Sequence, residues 1–137
     1  MTYPYREKPD RIYFLRQVGG VGPVKIGSSR DPERRLATIA AWSPVRLEIV
    51  ATCAGNLKTE YQLQTALARS HSHGEWFHPT DDVLAVLDSI LAGNTLESSI
   101  DLSAKQGTIR NSRRGVPNGS RLCDLRPDLY PLHRGTA

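Results

Sequence analysis

Cysteine is scarce in this chain of 137 residues; Cys53 and Cys123 are the two present. Two thiols make no disulfide framework, which excludes a small secreted domain stapled by bridges. Nor do they stand at the spacing of a structural zinc site, so His71, His73 and His78 read as surface polar groups rather than ligands. Long apolar runs are missing too. None approaches the ~20 residues that cross a bilayer, and the N-terminal Met-Thr-Tyr-Pro-Tyr-Arg-Glu-Lys lacks the apolar centre of a signal peptide. These absences point away from a membrane and toward a reducing cytoplasm. No internal repeat is visible, which excludes a solenoid or propeller.

A charge excess is missing from most of the chain. The first 103 residues hold eleven basic and twelve acidic side chains, a balance of −1. From Ala104 onward, seven Lys and Arg face two Asp, a balance of +5, so the net +4 belongs to the tail. A basic tail beside a neutral domain gives salt-sensitive, sequence-independent affinity for nucleic acid, or simply stays solvated. Arg110, Arg113 and Arg114 are its candidate phosphate contacts. Periodicity disappears after Leu102, and the late cluster Leu122, Leu125, Leu129, Tyr130 and Leu132 suits docking on a protein partner or on the chain's own surface.

What is present describes one domain with a modest core. Residues 1–10 read as an extended lead-in, 11–93 as the domain and 94–137 as the basic tail. Ile12-Tyr13-Phe14-Leu15 and Val24-Lys25-Ile26 are short apolar runs around Gly19-Gly20-Val21-Gly22-Pro23, the pattern of a β-hairpin. Alternation puts Ile12 and Phe14 on one face, as it does Val24 and Ile26, with Tyr13 and Lys25 together on the polar face. Asp31-Pro32 is a helix start, and Arg34 and Arg35 fall in the first turn close to the hairpin. A phenol, an amine and a guanidinium thus converge in a way that suits an anionic phosphodiester.

Beyond Ala41 the sequence Trp42-Ser43-Pro44 ends the helix. The alternation of Val45, Leu47, Ile49, Ala51 and Cys53 predicts a third, half-buried strand. A second helix is expected over about 57–70, with Leu63 and Leu67 inward and Glu60 on an adjoining edge. His71 to His78 reads as an irregular segment around Gly74-Glu75-Trp76-Phe77. Thr80-Asp81-Asp82 then caps a third helix that Gly93 closes. The expectation is an α+β fold, a three-stranded, mainly antiparallel sheet flanked by helices.

Five pieces of this chain, in order, resemble the GIY-YIG nuclease superfamily, in the branch of short phage and bacterial proteins related to T5orf172 and Mug113. They are Ile12-Tyr13-Phe14, Lys25-Ile26-Gly27, Arg35 within Asp-Pro-Glu-Arg-Arg-Leu, Glu60 on a later helix, and Gly74-Glu75-Trp76-Phe77, together covering about residues 11–92. The resemblance implies a small metal-dependent endonuclease acting on DNA. Tyr13 would lie near the nucleophile and metal. Lys25 stands where the family places a proposed general base, a substitution that also resembles a variation found in a restriction endonuclease. Two positions depart from the pattern: Ile39 and Gln64 stand where relatives place histidines. A nucleic-acid-binding module without turnover, or a phage-derived interaction protein, is the alternative on the same fold.

Phosphodiester hydrolysis needs an activated water, cationic compensation of the phosphoryl oxygens and help for the leaving oxygen. One carboxylate with water completing the shell suits Mg²⁺ or Mn²⁺, and Glu60 is the candidate, although its spacing alone also describes an ordinary exposed helix glutamate. A lysine acts as a base only when burial or nearby cations lower its pKa, and otherwise partners phosphate. Arg35 offers the planar fork that holds phosphate bidentately, whereas Arg34 reads as a surface residue with a weaker claim on DNA. Trp76 and Phe77 read as core anchors, with Glu75 supporting the site from behind.

Overall fold

The computed structural model describes residues 9–107 and 109. Arg110, Arg113, Arg114, Cys123, the late leucine cluster and most of the lead-in lie outside the described residues. Strands β1 (Arg11–Gln17) and β2 (Val21–Ser29) form the hairpin. Gly19 and Gly20 turn it at φ of 101° and 71°, a region that side-chain-bearing residues rarely enter. Helix α1 (Pro32–Ala40) follows, with Asp31 accepting from the Arg34 amide as its cap. Strand β3 (Leu47–Ala54), helix α2 (Leu57–Ala66), a 3₁₀ turn at Ala68–Ser70, the short strands β4 (His71–His73) and β5 (Trp76–Phe77), and helices α3 (Asp81–Leu91) and α4 (Leu96–Ser99) complete the order. Asn56 and Thr59 cap α2 reciprocally, and Thr80 caps α3.

The α+β architecture is as expected, but the strand count is corrected. The sheet has five strands, in the order β3-β1-β2-β5-β4, and every pairing is antiparallel. The segment read as irregular supplies the extra two. With lengths of three and two residues, neither shows an alternation that a sequence pattern can reveal.

The second correction concerns the sheet's polar face. Ile12, Phe14, Val24, Ile26, Ala51 and Cys53 pack against Leu63 of α2, Leu67 just past its end, and Val83 and Leu87 of α3, as the alternation requires. Tyr13, Leu15 and Lys25 on the opposite face are buried as well, because α1 crosses that face, meeting β1, β2 and β3. A bulge in β3 contributes. Phe14 pairs with Ala51 but Leu15 with Ile49, so Ile49 joins the face of Leu15 while Val50 packs against the main core. Packing also continues past Gly93, since Leu96 and Ile109 are buried in the main cluster.

Candidate active site

Strand β5 pairs with β2 only at Val24 and Lys25. One further backbone bond, from the Ile26 amide to the Glu75 carbonyl at 2.9 Å, closes that edge. From Gly27 onward the edge has no strand beside it among the described residues. At this gap groups from both faces of the sheet meet.

From the main-core side comes α2. Glu60 and Gln64 lie one helical turn apart and so sit side by side. Gln64 is fully buried, and its amide nitrogen donates to the Ile26 carbonyl and to Glu60 Oε2, both at 3.0 Å. Ser28, pointing to the same side from the end of β2, donates its hydroxyl to Glu60 Oε1 at 2.6 Å. Side chains from two elements, α2 and β2, therefore fix one carboxyl that is only 4% exposed.

From the other face come Lys25 and Tyr13. Lys25, 7% exposed, forms an ion pair with the Glu75 carboxylate. The β4–β5 turn, with Gly74 at φ 52°, presents Glu75 to this edge. The Tyr13 ring lies over Gly27, its partner across the β1–β2 ladder. A Cβ at position 27 would stand 2.5 Å from the phenol oxygen and Cζ, so Gly27 is the residue that lets the ring lie there.

The two carboxyls share a hydrogen bond. Burial above all, then the Glu75 carboxylate, pushes Glu60 up to about 7, against the smaller opposing pull of Ser28 and Lys25. Burial alone would raise Glu75 too, but the hydrogen bond from Glu60, the Lys25 ammonium and the Arg35 guanidinium hold it below the usual glutamate range. Of the two carboxyls, Glu60 is therefore the one that favours its protonated form and Glu75 the one that favours its ionised form.

The structure thus brings Lys25 and Glu60 together through Glu75, and sets Arg35, exposed on α1, within electrostatic reach. Tyr13 occupies the same face as Lys25, two residues along β2. Arg34 is exposed and contributes its amide to the helix cap; no side-chain contact ties it to this cluster. Glu75, expected to support the site from behind, touches Lys25 directly. Nothing in the sequence singles out Ser28, and Gln64 stands out only as a departure from the family pattern, although its spacing of four from Glu60 places the two side by side. Gln64→Leu should leave Glu60 without its amide donor and the Ile26 carbonyl without a side-chain partner. We expect about 1–3 kcal/mol of lost stability in urea denaturation.

Among the described residues no group of three or more His, Cys, Asp or Glu side chains converges as metal ligands. A model of the T5orf172 domain matches residues 10–91, a span that runs from just before β1 to the end of α3 and contains every residue of this cluster. No curated protein and no solved structure matches the chain.

Proposed function

Because the chain belongs to the T5orf172 domain family, we propose that it is a small Mg²⁺-dependent endonuclease of the GIY-YIG type that hydrolyses DNA phosphodiester bonds. The observation that carries this reading is a buried Glu60 carboxyl, held by Ser28 and Gln64, beside the Lys25–Glu75 ion pair at an open strand edge. A divalent cation bound beside Glu60 would favour its ionised form and displace the proton that burial favours. The donors around it are oxygens, with Glu60 as the principal ligand and Glu75 and Ser28 beside it. That set fits a hard ion that keeps several of its waters. Bound there, Mg²⁺ or Mn²⁺ would supply Lewis-acid compensation of the phosphoryl charge and lower the pKa of a coordinated water.

The protein's own groups do the rest. Lys25, held by Glu75, places an ammonium at the edge where a phosphoryl oxygen would approach. Arg35 approaches from α1 with a fork that matches two phosphate oxygens. The Tyr13 phenol, fixed over Gly27, is the group positioned to hydrogen-bond the attacking water. A water oxygen joins phosphorus as the P–O ester bond breaks, and a proton from that water reaches the departing alkoxide through solvent.

Retention of DNA without nicking would favour the second reading, a nucleic-acid-binding or interaction protein on this fold. Supercoiled, branched and single-stranded DNA offered with Mg²⁺, Mn²⁺ or EDTA separates the two. For Arg35→Lys we expect at least a tenfold fall in cleavage rate with the fold intact, since a point charge does not reproduce bidentate contact. Unchanged cleavage would remove Arg35 from the site.

A further inference from the structure

Trp42 is 88% exposed, the most exposed of the large hydrophobic side chains among the described residues. An indole left in water forgoes a large burial gain, and apolar residues clustered on a surface mark places where something binds. Trp42 is not alone. Val18, Val21 and Val45 are also exposed at this end of the sheet, where the Val18 amide donates to the Arg46 carbonyl at 2.9 Å and ties the hairpin to the α1–β3 connection.

Charge identifies the occupant. Between Glu33 and Glu48 the chain has no acidic residue, whereas Arg34, Arg35 and Arg46 are all present and exposed. Geometry connects the indole to the candidate active site. The Trp42 amide donates to the Ile39 carbonyl at 3.1 Å, in the turn that closes α1 just past its last residue, Ala40. Trp42 stands seven residues beyond Arg35, which separates the two by roughly 10 Å along the helix axis. An aromatic plane at that distance from a phosphate-binding arginine matches the use of stacking platforms along a basic track.

We propose that Trp42 is a stacking site for an unpaired nucleobase of the DNA, one or two nucleotides from the phosphate held by Arg35. This rests on the nuclease reading and deepens it, because it assigns the substrate class: DNA with a single-stranded or branched segment at the cut site, rather than continuous duplex.

Binding of labelled single-stranded oligonucleotides by the full chain in EDTA tests the site without any cleavage. Trp42→Ala should weaken binding by about 5- to 150-fold, the range for loss of one stacked base. Trp42→Phe should retain most of the affinity. An abasic site scanned along the oligonucleotide should weaken the wild type at one position and leave Trp42→Ala unaffected there. Binding to blunt duplex should be the same for both proteins. Equal affinity of Trp42→Ala and wild type for every oligonucleotide would overturn the proposal. So would a change of oligomeric state in Trp42→Ala with DNA affinity intact, which would assign the patch to a second copy of the chain. Preference for a matched RNA would overturn the choice of DNA. Failure of the wild type to bind or cut any DNA would instead strike the nuclease reading beneath it.

Discussion

Glu60→Gln should abolish metal-dependent DNA cleavage while making the metal-free protein more stable above pH 7. Folding holds Glu60 in its protonated form up to about 7, against an ordinary value of 4.5. Between those values the folded chain binds a proton that the unfolded chain has released. Stability therefore falls as pH rises through this window and stays low above it. Glutamine cannot ionise, so the variant escapes that loss. Its amide still donates to Glu75, and its carbonyl still accepts from Ser28 or Gln64. After allowance for solvent screening and for Glu75, whose lowered value works in the opposite direction, the gain should be about 1–2 kcal/mol at pH 8 and vanish near pH 4. Urea denaturation of both proteins in EDTA across that range measures it.

Gly27→Ala should cost both fold and activity. The added methyl would meet the phenol oxygen and Cζ of Tyr13 at 2.5 Å. Tyr13 is 1% exposed and lies beneath α1, so the ring has no empty space into which to retreat. We expect about 1–3 kcal/mol of destabilisation from overpacking. Displacement of the phenol should lower cleavage by about 100-fold in the protein that remains folded. A double-mutant cycle isolates the second effect. In a Tyr13→Phe background, Gly27→Ala should lower activity no further once folded fractions are matched, because the phenol has already gone. A full additional loss would mean that Gly27 acts on something other than Tyr13.

The hairpin, the starts of α1 and α3, and the inward faces of Ile12, Phe14, Val24 and Ile26 were legible in the sequence because alternation and capping residues are local signals. The burial of Tyr13 and Lys25 was not. It depends on α1 lying across the second face, and only the pair Leu36 and Ile39 on that helix, both half-buried, hints at it. Strands β4 and β5 were illegible because two or three residues carry no period, and their pairing with β2 is a tertiary event. Tyr13, Lys25, Arg35 and Glu60, the candidates that ordered motifs single out, lie on four separate elements, and the structure joins Lys25 to Glu60 through Glu75. The contact of Glu75 with Lys25 was not legible, because it follows from where β5 stops along β2. Gln64, which looked like a missing histidine, proves to be the buried donor that holds Glu60.

The most direct test of this account is nicking of supercoiled plasmid by wild type and Glu60→Gln, each with Mg²⁺ and with EDTA. The account predicts open-circular product from the wild type with Mg²⁺ alone, and none from the folded variant under either condition. Equal nicking by both proteins, or nicking by the wild type in EDTA, would contradict it.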